Sequence, residues 1–146
     1  MNGSADPMSL VRLLAAATNA HDLDALVACF ADDYVNETPA HPERGFRGAE
    51  QVRRNWAQLF ASIPDLSARI LATASADDTA WTEWEMAGTR CDGAAHLMRG
   101  VIIFKVDAGK IASASFYLEL VEHASGGVDA QVARVAPATT SHLNRP

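Results

Sequence analysis

Residues 99–120 read RGVIIFKVDAGKIASASFYLEL, two runs rich in Val, Ile, Phe and Tyr on either side of Asp107-Ala108-Gly109. Such residues fit a pleated, half-buried surface, and Gly109 supplies the positive-φ position of a three-residue hairpin loop. The stretch predicts two antiparallel strands. Along the second, alternation sets Ser113, Ser115, Tyr117 and Glu119 on one face and Ala114, Phe116, Leu118 and Leu120 on the other. The period alone makes the first set the wet face. Which face looks inward decides whether Glu119 is a solvated charge or a carboxylate held in an apolar wall.

Upstream, the strand-like runs Leu66–Ser75 and Thr79–Thr89 are joined by Asp77-Asp78, and Cys91-Asp92-Gly93 leads into His96–Val106. The last run is Lys110–Val121. Before these, Leu10, Leu13, Leu14 and Ala17 recur at helical spacing behind a capping Ser9, and His21-Asp22 breaks the pattern. Leu23, Leu26, Val27 and Phe30 make a second short helix capped by Asp22. Tyr34–Thr38 reads as a short strand, and Pro39, Pro42 and Gly45 make a loop. A third helix starts at Gly48, carries the stripe Val52, Trp56, Leu59, Phe60 and Ile63, and stops at Pro64.

Helices first and a meander after is the order of an α+β domain. Three short helices must then cover one face of a curved, mostly antiparallel sheet, leaving a pocket at the open end. After His123 the composition shifts to Ala, Gly, Ser, Thr and Pro. One domain is expected over residues 1–123 and a disordered tail over 124–146.

A chain of 146 residues with a formal charge of −6 suits a single domain with a real core and argues against a nucleic-acid partner. The nearest basic cluster, Arg44, Arg47, Arg53 and Arg54, is interleaved with Glu43 and Glu50 as on a solvated helix. No apolar run approaches the roughly 20 residues of a membrane span, and Met1–Pro7 has no signal pattern. With only Cys29 and Cys91, a reduced cytoplasmic protein is expected, Cys29 being a buried small hydrophobe. The five histidines show no metal-ligand spacing, so no metal is expected. Gly126-Gly127 reads as linker rather than phosphate loop.

The string Ala20-His21-Asp22-Leu23-Asp24-Ala25-Leu26-Val27-Ala28-Cys29-Phe30-Ala31-Asp32-Asp33 resembles the second helix of the nuclear transport factor 2-like superfamily. It is most similar to the SnoaL-like and ketosteroid-isomerase-like branch. Thr38-Pro39, Phe46-Arg47-Gly48-Ala49-Glu50, Ile63-Pro64-Asp65-Leu66 and Gly109-Lys110-Ile111 stand where that branch has its landmarks. The resemblance implies a conical α+β barrel with three N-terminal helices packed on the sheet, and it covers roughly residues 8–122. It does not imply a reaction, because the scaffold hosts isomerases, cyclases, hydrolases and binding modules alike.

Ketosteroid isomerases place a base, a Tyr and a protonated acid where this chain has Thr38, Leu14 and Ile102, so that chemistry is not expected. Limonene-type epoxide hydrolases need an Arg-x-Asp pair where Trp84-x-Met86 stands, and only the last acid survives, as Glu119. SnoaL-like polyketide cyclases ask for one carboxylate acid/base in an apolar cavity and no cofactor. That implies Glu119 as the acid/base, Glu37 or His41 as second proton carrier and Tyr117 as donor to an enolate. Trp84, Trp56, Met86, Leu14 and Ile102 would line the cavity, and Arg99 would bind an anion or pair with Glu83 or Glu85. The ligand would be an apolar, carbonyl-bearing small molecule. The rival expectation is a non-catalytic pocket or association module. With Tyr117 and Glu119 inward, Ala112, Ala114, Phe116, Leu118 and Leu120 would face outward and form a homodimer interface.

Overall fold

The protein is described by a computed structural model over residues 6–138. The expectations for residues 1–5 and for the tail beyond residue 138 lie outside the described residues. The elements are α1 (Pro7–Ala20), α2 (Leu23–Val27), β1 (Phe30–Glu37), a 3-10 turn (Pro42–Arg44), β2 (Phe46–Arg47), α3 (Ala49–Ser62), β3 (Ser67–Ala76), β4 (Thr79–Thr89), β5 (Ala95–Asp107), β6 (Lys110–Leu120) and α4 (Val128–Val135).

The first helix is capped by Asp6, whose side chain accepts from the Met8 N–H at 3.1 Å, rather than by Ser9. Pro7 explains the earlier start: it lacks the N–H that a first helical residue cannot pair anyway. Its buried stripe is Met8, Val11, Leu14, Ala17 and Thr18, leaving Leu13 exposed. His21 ends the helix in the left-handed region at φ 53°, stacks on Phe60 at 4.3 Å and sets Nε2 2.8 Å from the Leu66 carbonyl. Asn19 bonds both backbone groups of Ala68, tying α1 to the edge strand β3. Asp22 caps α2 as expected, accepting from the Ala25 N–H at 3.0 Å. Phe30, expected in that helix, instead opens β1.

The six strands run in the order β2-β1-β6-β5-β4-β3, antiparallel except for the parallel pair β1 and β6. The sheet is open, with β2 and β3 as free edges, so it does not close into a barrel. The hairpin between β5 and β6 turns on two residues, not three. Ala108 and Gly109 both have positive φ, 51° and 76°, the requirement of a type I′ turn. In β5, a Cβ on Gly100 would lie 2.0 Å from the Tyr117 carbonyl oxygen. Only glycine lets β5 and β6 approach there, and Trp84 is its register partner on β4.

Register fixes the faces. Ile102 pairs with Thr82 and Phe116, and Phe104 with Ala80 and Ala114, and all but Phe116 are buried against the helices. Tyr117 pairs with Val101, and Glu119 with Arg99, on the opposite face. The inward placement of Tyr117 and Glu119 is therefore corrected: the large apolar set of β6 goes to the core. Ala114, Phe116 and Leu118 cannot form the expected outer dimer face. Ala112 sits at a bulge and Leu120 at the exposed strand end.

The segment after His123, read as disordered, contains α4. Asp129 in its first turn and Arg134 in its last suit the helix dipole, and Arg134 bonds Gln131 one turn back. All its residues are exposed.

Candidate functional site

Strand alternation puts Tyr34, Asn36 and Thr38 on the inner side of β1 and its continuation, facing α3. Between them lies a cavity of about 570 Å³. Phe30, Phe46, Val52, Trp56, Leu59, Met86, Met98, Phe116 and Leu118 supply its apolar wall. Asn55, Gln58 and Ser62 of α3 add neutral polar groups, and Arg44 of the 3-10 turn adds a cation. No carboxylate, histidine or cysteine lines it.

The polar focus is a relay on one strand. The Tyr34 hydroxyl donates to Asn36 Oδ1 at 2.7 Å, and Asn36 Nδ2 lies 3.5 Å from the Thr38 hydroxyl. Tyr34 is only 1% exposed and packs edge-on against Phe30 at 4.7 Å. Burial drives its ionisation far above the ordinary range, so it acts as a neutral donor. With its oxygen already engaged, the Asn36 amide presents N–H toward the cavity, a donor suited to a neutral oxygen acceptor.

The expected site residues divide sharply. Trp56 and Met86 line the cavity. Trp84, Leu14 and Ile102 are core residues outside its wall: Trp84 is 1% exposed and donates to Thr82 Oγ1, which donates to the Ile102 carbonyl. Arg99 lies on the outer face with both its Nε and Nη2 on Glu85, which Arg69 also holds. These two guanidinium groups keep the Glu85 carboxyl below the usual carboxylate range. Glu37 is exposed and Tyr117 stands on the outer face.

Glu119 and His41, expected as partners, do meet. His41 Nε2 lies 3.2 Å from Glu119 Oε1, with side chains 38% and 48% exposed. Neither side chain lines the cavity, although Leu118 and Thr38, close to them in sequence, do. Reading the sequence missed Tyr34, Asn36 and Arg44. Tyr34, Asn36 and Thr38 carried a signal in their i, i+2 spacing; Arg44 carried none, lying in a loop.

A larger groove on the opposite side, about 950 Å³, runs between α2 and the β5–β6 turn. Arg53 pairs there with Asp24 at 2.8 Å and Lys110 bonds the Ala28 carbonyl, while Asp32, Asp33, Arg47 and Asp107 stand exposed on its wall, so it reads as solvated surface. Among the described residues no three His, Cys, Asp or Glu side chains cluster as metal ligands, and no helix is long and apolar enough to cross a membrane.

Residues 11–114 match the family model of the SnoaL-like domain. No curated protein matches the chain. Among solved structures, IdmH from Streptomyces antibioticus, a candidate polyketide cyclase, is similar at TM-score 0.68 and 22% identity, over 79% of this chain and 93% of that one. Rv0760c from Mycobacterium tuberculosis, solved with estradiol-17β-hemisuccinate, gives 0.68 and 23% over 77% and 94%. An M. tuberculosis epoxide hydrolase of the limonene type gives 0.69 and 20% over 90% and 96%. At these identities the structural likeness concerns the fold.

Proposed function

The chain belongs to the SnoaL-like domain family, and we propose that it binds a small, largely apolar molecule in the interior cavity, with one oxygen of that molecule accepting from Asn36. The observation that carries this reading is the Tyr34–Asn36–Thr38 relay facing an otherwise apolar wall without acid or base. A volume of about 570 Å³ lies within the range of small-molecule sites, about 300–1,000 Å³. Structural neighbours, one solved with a steroid ester and one named as a candidate polyketide cyclase, support a small-molecule role in general terms.

A calorimetric titration with an aryl ketone such as 2-acetonaphthone tests it. The wild type should bind, Thr38→Val should bind more weakly, and Leu118→Trp, which fills the cavity, should not bind. Equal binding by Leu118→Trp would overturn the reading.

A second reading is acid–base catalysis, favoured by the 3.2 Å His41–Glu119 pair. One positioned acid/base contributes about 10²–10⁴-fold. Glu119→Gln would then lower turnover by that range while leaving affinity nearly intact.

We further propose a homodimer through the outer sheet face, using Trp81, Val101, Ile103 and Tyr117. Trp81 is 54% and Tyr117 45% exposed, and Trp81–Ile103 and Val101–Tyr117 are register partners. The free thiols of Cys29 and Cys91 fit the cytoplasm.

A further inference from the structure

The cavity holds one charged group, and its situation narrows the ligand class beyond the reading just given, on which this inference rests. Arg44 closes the 3-10 turn beside the Phe46 wall. Its guanidinium makes no hydrogen bond and no ion pair among the described residues. Arg53, Arg69, Arg90 and Arg99 each face a carboxylate; Arg12 and Arg47 are exposed and unpaired like Arg44, but of these three only Arg44 lines the cavity. In a chain of net charge −6, with no acid lining the cavity, an exposed and unengaged arginine there is a vacant anion partner. Guanidinium matches a planar carboxylate through two parallel N–H bonds, whereas the apolar wall would reject a second charge.

We propose that the ligand is an apolar monoanion, an aryl or alkyl carboxylate, whose carboxylate is held by Arg44 while its body fills the cavity. The neutral donor Asn36 then meets an uncharged oxygen on that body, so a keto or hydroxy acid satisfies both groups. Neither demand needs a proton to move on binding.

Calorimetry with 2-naphthoate and its neutral isostere 2-naphthamide separates charge from shape. The wild type should favour naphthoate by about tenfold, as a hydrogen bond to a charged group warrants. The preference should vanish in Arg44→Gln, return in part in Arg44→Lys, and survive in the control Arg53→Gln. Equal binding of the two probes by the wild type, or a preference that persists in Arg44→Gln, overturns the assignment of Arg44. A preference lost equally in Arg53→Gln overturns it too, by showing only the general field. If neither probe binds, the cavity reading itself falls. Circular dichroism of Arg44→Gln, an exposed-loop variant, checks that its fold is intact.

Discussion

Asn36 shows how one side chain serves both stability and recognition. Its Oδ1 accepts from a hydroxyl that has no other partner and is shut away from water. Asn36→Leu orphans that hydroxyl and should cost about 1–3 kcal/mol in urea unfolding. Tyr34→Phe should cost less, about 1 kcal/mol, because Asn36 borders the cavity and water can take the vacated place. A reversed order would remove the relay from the account. Tyr34 also sets a limit at alkaline pH. Its folded ionisation lies far above the unfolded value near about 10, so its contribution is complete below that pH and lost as pH rises past it. Tyr34 should stay un-ionised until the protein unfolds, as phenolate absorbance will show.

On the scale of elements, β6 decides what can and cannot take part. Because Glu119 lies on the far side of the strand from Phe116 and Leu118, Glu119→Gln should leave aryl-ketone affinity within about twofold. Gly100→Ala should cost about 3 kcal/mol, at the upper end of overpacking, since backbone rather than a mobile side chain stands in the way. Across the outer face, Arg69, Glu85 and Arg99 form a row on β3, β4 and β5. The lowered ionisation of Glu85 contributes stability that is present above its unfolded value and lost as pH falls through the folded one. Glu85→Gln should flatten the acid limb of a stability-against-pH curve below about pH 4.

The limits of β3 to β6 were legible because turn chemistry is local, whereas β1, expected over Tyr34–Thr38, begins four residues earlier at Phe30. Asp77-Asp78 and Ala108-Gly109 sit where the chain reverses, and β4 spans the very residues expected. The cap of α2 and the stop of α3 before Pro64 were legible for the same reason. What stayed hidden depends on partners distant in sequence. The two-residue β2 exists only by pairing with Val35 and Asn36. The left-handed His21 rests on Phe60 and Leu66. For Glu119 the period of the strand was the better guide, and the resemblance to acid-bearing relatives pointed the wrong way. Apolar volume against the helices decides which face turns inward.

For the molecule as a whole, the fold is a cup with its lining set by β1, α3 and the inner sheet face, and its two functions should separate by face. The outer apolar patch predicts a dimer by light scattering at micromolar concentration, with Trp81→Glu giving a monomer that still binds ligand. A monomeric wild type would leave that patch without its proposed role. The central claim is that the ligand lies inside the cup, and the three tryptophans mark its regions: Trp56 on the cavity wall, Trp84 in the core and Trp81 on the outer face. Their indole N–H signals in a ¹⁵N-correlated NMR titration with the aryl ketone test it most directly. The Trp56 signal should move and saturate while Trp81 stays in place; a saturating shift at Trp81 with Trp56 unmoved would put the ligand outside the cup.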